Sequence, residues 1–375
     1  MIPVIDLSCH LDHGDPASAI QQLRDAAAQG GFFQVVGHGV PHDLIDEVRL
    51  AARRFFDRPQ SEKSAACCLS LGEASNWRGY EYFAADGREA FEIGLEYTGQ
   101  DNTEKVLPLQ GENRWPANDP EFKHTMSAYH AETVAFSRRL LGVMALALGL
   151  KERYFDMQVR EPLAQLRLWN YPRDTGLAPH KDHGFLTVLL QDEQRAGLQV
   201  LRRVLPSPAR RREAEAGSKT PEPGLDLESH DVAEEIAAAQ AEGRVEENSV
   251  WLDVPLIPYA FVINVGRLFE IFSQQVFPAT IHRVRFAPEA GRKWEIPLSR
   301  ISLAFFFAPG WDVLIEPPPE LLVPGIPRPR PVQSGPHVLF GYRWQQYVNT
   351  GEIEDVAAAK RRALAETVTP TRTPT

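Results

Sequence analysis

Between Gln165 and Phe307 the chain breaks into short apolar or alternating runs, and this rhythm constrains the fold more than any other feature. Gln165 to Tyr171 alternates. Phe185 to Leu190, Leu198 to Leu201, Trp251 to Val254, Phe261 to Val265, His282 to Phe286 and Ile301 to Phe307 follow. Each run is too short for a stable helix, and Gly/Pro-containing turns separate them. That pattern predicts a β-sandwich or jelly roll. The preceding part reads differently. Ala17 to Gly30 has helical spacing, with Ile20, Leu23 and Ala27 on one face, and Gly30-Gly31 stops it. His42 to Phe56 gives a second helix, and Asp119 to Leu150 one long or broken helix ending at Gly149. These helices are expected to cover the outer face of a sheet.

Composition narrows the function. The 375 residues, 43% of them hydrophobic, allow one large core or two small ones. The net charge is −10, and no basic stripe stands out apart from Arg202-Arg203 and Arg210-Arg211-Arg212, which read as a solvated loop. A nucleic-acid partner is therefore not expected. Cys9, Cys67 and Cys68 make neither a disulfide framework nor a C-x-x-C site, which suits a reducing compartment. The longest apolar stretch, Leu140 to Leu150, is too short to span a bilayer, and the first residues read as a strand rather than a leader. A cytoplasmic protein without a membrane partner is expected. Pro206 to Glu247 departs from the strand rhythm: it is charged and Ala/Glu-rich, with helical propensity over Val232 to Glu242. The tail Thr367 to Thr375 reads as disordered.

The chemistry-bearing residues are His180 and Asp182, in H-x-D spacing, and His282. Two histidines and one carboxylate are what a 2-His-1-carboxylate triad for non-haem Fe(II) requires. On a strand, His180 and Asp182 would share a face because side chains alternate. His183 would then point away, as a supporting or surface residue. Arg300 and Ser302 would share a face by the same period, and a guanidinium beside a hydroxyl makes a carboxylate clamp.

The ordered set resembles the Fe(II)/2-oxoglutarate-dependent oxygenases of the isopenicillin-N-synthase-like superfamily. The resemblance covers nearly the whole chain and is strongest from Leu166 to Pro309. Ile2-Pro3-Val4-Ile5-Asp6-Leu7 looks like the family's opening strand. Gly31-Phe32-Phe33-Gln34-Val35-Val36-Gly37-His38-Gly39-Val40 looks like its "GFFQVxNHGI" segment, with Gly37 where Asn is common. Trp77-Arg78-Gly79-Tyr80 and Phe91-Glu92-Ile93-Gly94 are similar to two further family segments. Tyr171 stands where the family's "N-Y-Y-P" segment has a tyrosine, although Trp169 and Asn170 depart from it.

The resemblance implies a mainly β fold with α: a double-stranded β-helix (jelly-roll) core flanked by N-terminal and C-terminal helices. It implies a single oxygenase domain, with a helix-rich part over 1–160, the core over 161–310 and a helical cover and tail over 311–375. Residues 206–247 become an insertion in a hairpin loop, which accounts for the long separation of Asp182 from His282. His180, Asp182 and His282 would bind iron, and Arg300 and Ser302 would hold 2-oxoglutarate, with Tyr171 adding a hydrogen bond. The implied reaction uses O₂, releases succinate and CO₂, and hydroxylates, desaturates or cyclises a small molecule of secondary metabolism, anionic or amino-acid-like. Phe185, Leu189, Phe305 and Phe307 are candidates for pocket wall or core. Two rivals remain: an Fe(II) oxidase that uses no 2-oxoglutarate, with Arg267 or Arg343 meeting an anionic substrate, and a non-catalytic jelly-roll binding protein. Oligomeric state is not legible.

Overall fold

The computed structural model describes residues 1–8, 16–67, 77–96, 107–172, 175–193, 195–203, 249–285, 299–322, 324–325 and 327–350. The segment 206–247, with its expected helix, and the tail from Thr367 lie outside the described residues.

Strand β1 (Val4–Asp6) runs parallel to β2 (Phe32–Val36), and helix α1 (Ala17–Gly30) connects them. Gly31 ends α1 in the left-handed conformation at φ +61°, and its N–H bonds the Ala27 carbonyl. A Cβ there would sit 2.0 Å from the Pro278 carbonyl oxygen, so chain termination and close packing both demand glycine. Helix α2 (His42–Phe56) follows, burying Ile45, Val48, Ala52 and Phe55 on one stripe. Next come α3 (Gln60–Cys67), the hairpin β3 (Gly79–Phe83) and β4 (Arg88–Gly94), and the long α4 (Pro120–Ala147). Asp119 caps α4 by accepting a hydrogen bond from the Phe122 N–H, and Pro120 opens its first turn.

The remaining strands are β5 (Leu163–Tyr171), β6 (Leu177–His180), β7 (Leu186–Leu190), β8 (Leu198–Arg203), β9 (Ser249–Asp253) and β10 (Phe261–Val265). Helix α5 (Arg267–Phe272), β11 (His282–Val284), β12 (Arg300–Ala308), β13 (Leu314–Ile315), β14 (Val332–Gln333) and α6 (Ser334–Thr350) complete the described elements. An eight-stranded sheet runs β1-β2-β10-β7-β12-β5-β4-β3 and a four-stranded one β6-β11-β8-β9.

Both faces of the large sheet are used. One face and helices α1, α2 and α4 form the main core, where Leu166, Leu168, Val188, Leu303 and Phe305 meet Phe55, Phe136 and Leu140. Burying a side chain of this size is worth ~1.5–3 kcal/mol. Phe32 and Val262 from the large sheet join Leu198 and Val200 from the small one in a second cluster. Every residue of β5 is buried, because β5 has core on one side and site on the other.

The jelly-roll expectation holds, and α1, α2 and α4 fall where their periodicity placed them. The sequence reading did not name β2, β3, β4, β6, β13 or β14 as strands. β3 and β4 extend the large sheet beyond β5, and β6 carries His180.

Candidate active site

The two sheets approach each other around β6 and β11. His282 opens β11 directly opposite His180, the last residue of β6. Asp182 does not continue that strand: it lies in the bend 181–185 that carries the chain from the small sheet to β7 in the large one. The expectation that His180 and Asp182 converge by strand alternation is therefore corrected. They converge because the chain turns.

That turn is held by backbone bonds from the start of α5. Gly266 N–H donates to the Phe185 carbonyl at 2.9 Å, Arg267 N–H to the Asp182 carbonyl at 2.8 Å and Leu268 N–H to the Gly184 carbonyl at 3.2 Å. Phe185 N–H reaches the Phe307 carbonyl at 2.9 Å. Helix donors otherwise lacking intrahelical partners thus fix the bend.

Ligand atoms of His180, Asp182 and His282 all lie within 4.8 Å of one another. His180 Nε2 is 3.5 Å and His282 Nε2 3.7 Å from Asp182 Oδ1. Each ring turns Nδ1 to a backbone carbonyl, Ala178 at 2.9 Å and Thr280 at 3.1 Å. A carbonyl only accepts, so Nδ1 carries the proton and Nε2 the free lone pair. On the other side of the carboxylate, Asp182 Oδ2 accepts from the Thr187 hydroxyl and, at 2.7 Å, from Asn264 Nδ2. Two lone-pair nitrogens and one carboxylate oxygen therefore face one point, each oriented from behind. This donor set fits a divalent metal with open coordination positions, and a mixed N/O set suits Fe(II).

Electrostatics agree. Burial, with a smaller contribution from neighbouring His282, lowers His180 to about 4, so its ring is neutral at neutral pH. Burial raises the Asp182 carboxyl, but the facing His282 and His180 and the bonds from Thr187 and Asn264 outweigh it. The group is held below its ordinary value. His183 is half-buried rather than at the surface: its ring packs 5.3 Å from His337 and 6.0 Å from Phe340 of α6.

The second candidate group sits on the inner face of the large sheet. Arg300 pairs across the ladder with Tyr171, and Ser302 with Trp169, so all four share that face. Arg300 is 1% exposed; Nη1 donates to Ser302 Oγ at 3.2 Å, and its guanidinium lies 5.4 Å from the Tyr171 ring centre. Arg300 Nε and Nη2 have no hydrogen-bond partner among the described residues. A buried guanidinium with two idle donors is costly by itself. It fits a carboxylate ligand, which would supply both the charge and the acceptors.

A cleft of about 860 Å³, counting the space it opens to solvent, adjoins the triad. His180, Asp182, Trp77, Phe83, Leu177 and Phe306 line it, with Trp169 and Tyr342. Of the candidate wall residues, Phe307 borders the cleft but belongs with Phe185 and Phe305 to the main core, and Leu189 packs with the second cluster. Arg267 is ion-paired with Glu270 three residues on and is not among the residues that line the cleft.

A jelly roll holding two histidines and a carboxylate at its mouth defines a class of non-haem metal oxygenase, and sequence relationships agree. The N-terminal model of non-haem dioxygenases in morphine synthesis matches residues 2–118, and the 2OG-Fe(II) oxygenase superfamily model matches residues 220–309. The latter spans His282, Arg300 and Ser302. A homoarginine-6-hydroxylase of Glycine max is 28% identical over 345 residues, covering 84% of this chain and 88% of that protein. JOX2, solved with 2OG, Fe and JA, superposes with a TM-score of 0.64 at 25% identity, covering 98% of this chain and 89% of that one. A 2OG-Fe(II) oxygenase family protein of Caulobacter crescentus shares the fold, with a TM-score of 0.69 at 22% identity over 92% of this chain and 98% of its own. The chain belongs to the 2OG-Fe(II) oxygenase superfamily and is a non-haem iron, 2-oxoglutarate-dependent dioxygenase.

Asn264 and Thr187 were missed as site residues. Their signal was present but weak: both lie on strands and carry short polar side chains in otherwise apolar runs.

Proposed function

We propose that this enzyme hydroxylates a C–H bond of a small, amino-acid-like molecule. In this reading His180, Asp182 and His282 hold the iron, and Arg300 with Ser302 binds the distal carboxylate of 2-oxoglutarate. The carrying observation is the pairing of a convergent His/Asp/His set with a buried Arg300 whose Nε and Nη2 lack partners among the described residues. The chemistry such a centre supplies is oxidative decarboxylation of 2-oxoglutarate by O₂, giving succinate and CO₂, coupled to oxidation of a substrate C–H.

The chain's own residues do the positioning. The Nδ1–H bonds to Ala178 and Thr280 keep the imidazoles in the ligating tautomer, and Thr187 and Asn264 keep Asp182 Oδ1 forward. Arg300, approached through Ser302 and Tyr171, orients the cosubstrate. Trp169, Leu177, Phe83 and Phe306 wall the cleft and exclude water around the reacting C–H. The concave, aromatic-rich lining of the cleft beside the triad supports a small-molecule substrate. The relatives differ in what they are named for or bound to, homoarginine in one case and JA in another, so they support the class without choosing the substrate.

Incubating the Fe(II)-loaded protein with 2-oxoglutarate and candidate metabolites, and measuring succinate beside an oxygenated product by mass spectrometry, tests this reading. Equimolar succinate and product gaining one oxygen is expected, and loss of both in His180→Ala. Product formed without succinate would contradict it.

A further inference from the structure

The cleft has a second polar end, away from the triad and the Arg300 clamp. Glu81 of β3, Glu92 of β4, and Gln165 and Arg167 of β5 are brought together there by the ladder, which sets Glu92 beside Arg167 and Gly94 beside Gln165. Arg167 is committed twice: Nη1 donates to Glu92 Oε2 at 2.9 Å and Nη2 to Glu81 Oε2 at 2.5 Å. Its guanidinium also lies 4.5 Å from the Trp169 ring centre. Only Arg167 Nε is left without a partner. Two further cations stand at this wall: Arg78, 1% exposed, directs Nη2 to the Leu109 carbonyl at 2.9 Å, and Arg88 lies 5.2 Å from the Phe83 ring centre and 5.8 Å from that of Trp169. Lys181, which lines the cleft beside the triad, already has a partner.

The acceptors are less fully used. Glu81 lines the cleft, with its side chain 17% exposed, and its second oxygen makes no hydrogen bond among the described residues. Gln165 also lines the cleft and is 2% exposed; its Nε2 reaches the Leu109 carbonyl at 3.4 Å, and its Oε1 has no partner among the described residues. A buried amide oxygen without a donor is costly and calls for a ligand N–H. Around these acceptors stand Trp77, Phe83 and Trp169. Phe83 and Trp169 already face Arg88, and Trp169 also Arg167, which leaves Trp77 as the aromatic face for a ligand cation beside the carboxylate.

We infer that the substrate enters this cleft with a positively charged, N–H-donating head, an amine or guanidine, seated on Glu81 and Gln165. The inference rests on the oxygenase reading for the word substrate, but the site itself stands on the cleft. Both Nη atoms of Arg167 are committed to Glu92 and Glu81, so among the described residues it has only Nε left to offer a substrate carboxylate. An anionic substrate, one of the expectations from sequence, is disfavoured on this ground. The head at Glu81 would leave the body of the molecule to run along the aromatic wall toward the triad.

The test uses full-length protein under anaerobic conditions, with and without Fe(II) and 2-oxoglutarate. Hexylguanidinium, hexylammonium, hexanol and hexanoate are titrated by calorimetry, with tryptophan fluorescence as a second readout because Trp77 and Trp169 line the cleft. Hexylguanidinium is expected to bind at least tenfold more tightly than hexanoate, and Glu81→Gln to remove most of that preference. Gln165→Leu, checked for folding by circular dichroism, is expected to weaken guanidinium binding without improving hexanoate. Hexanoate binding as well or better, failure of both cations to bind, or a preference untouched in Glu81→Gln would overturn the inference. The wild-type preference needs no variant to fold. A visible absorption band on adding 2-oxoglutarate to the Fe(II) protein tests the oxygenase reading separately. Band present with hexanoate preferred sinks only the cation site; band absent with the cation preferred sinks only that reading.

Discussion

Two residues behind the front line carry the sharpest single-site expectations. Asn264 Nδ2 and the Thr187 hydroxyl both hold Asp182 Oδ2, leaving Oδ1 for the metal. Asn264→Leu removes one donor without touching a ligand, and such outer partners commonly carry about 10–100-fold in affinity. Co(II) or Fe(II) titration is expected to show a loss of that size, and unaltered affinity would show that Asn264 does not position Asp182. Arg300 makes a different prediction. Burial lowers its pKa, and two of its nitrogens lack partners, so ligand-free protein carries a charge it gains little from. Arg300→Met is expected to leave the melting temperature of ligand-free protein unchanged or raise it, since apolar replacement of a buried charge is often neutral or stabilising. The same variant should lose the rise in melting temperature that saturating 2-oxoglutarate gives wild type. A retained rise would remove Arg300 from the clamp. At this scale the sequence was informative where chemistry is rare: His180, Asp182 and His282 stand out by residue type and order. Asn264 and Thr187 are common strand residues, and only the register of β10 on β7, which sets Asn264 opposite Thr187, brings both to Asp182.

Among the elements, the 181–185 bend and the start of α5 act as one unit. A Cβ on Gly266 would lie 2.2 Å from the Gly184 carbonyl oxygen, against backbone that cannot rotate away. Gly266→Ala is therefore expected to displace the bend, destabilising the fold by ~1–3 kcal/mol as an overpacked site does and weakening metal binding in the same variant. Chemical denaturation and metal titration check the two effects, and a variant with normal values for both would show that α5 does not fix Asp182. The helices α1, α2 and α4 were readable because one apolar stripe per helix repeats at helical spacing. β5 was also readable by position, although its full burial hid which face carried function. Its alternate residues Arg167, Trp169 and Tyr171 prove to be the floor of the site. β3, β4 and β6 were not read as strands: β6 contains Pro179 and holds only four residues, and the hairpin's charged residues mask its alternation. Those charges, Glu81, Glu89 and Glu92, are paired inside the protein, which no local pattern announces.

Across the whole molecule, the charge buried between the sheet and α6 should be visible in the pH dependence of stability. Burial pushes the Glu92 carboxyl up to about 7, against the pull of Arg167 and Arg78. The folded state thus holds a proton that the unfolded chain releases near its ordinary value of 4.5. Between those two values the native state binds more protons, so this group's contribution to stability falls as pH rises through the window. Glu92→Gln lacks the effect. Its melting temperature relative to wild type is expected to shift in favour of the variant from pH 5 to pH 8, and a shift the other way would mean that ionised Glu92 is net stabilising. The jelly-roll architecture itself was legible because short strands and turns leave few ways to close a core. The partnership of two distant ends of one cleft was not, since it depends on how β3, β4 and β5 align.

The most direct test of the central claim is an anaerobic Fe(II) titration of metal-free protein with and without 2-oxoglutarate, followed by visible absorption. A weak charge-transfer band that needs both components, and that is lost in His180→Ala and in Arg300→Ala, is the predicted result. Iron binding with no band on adding 2-oxoglutarate, or a band that survives either substitution, would contradict the assignment of these residues to metal and cosubstrate.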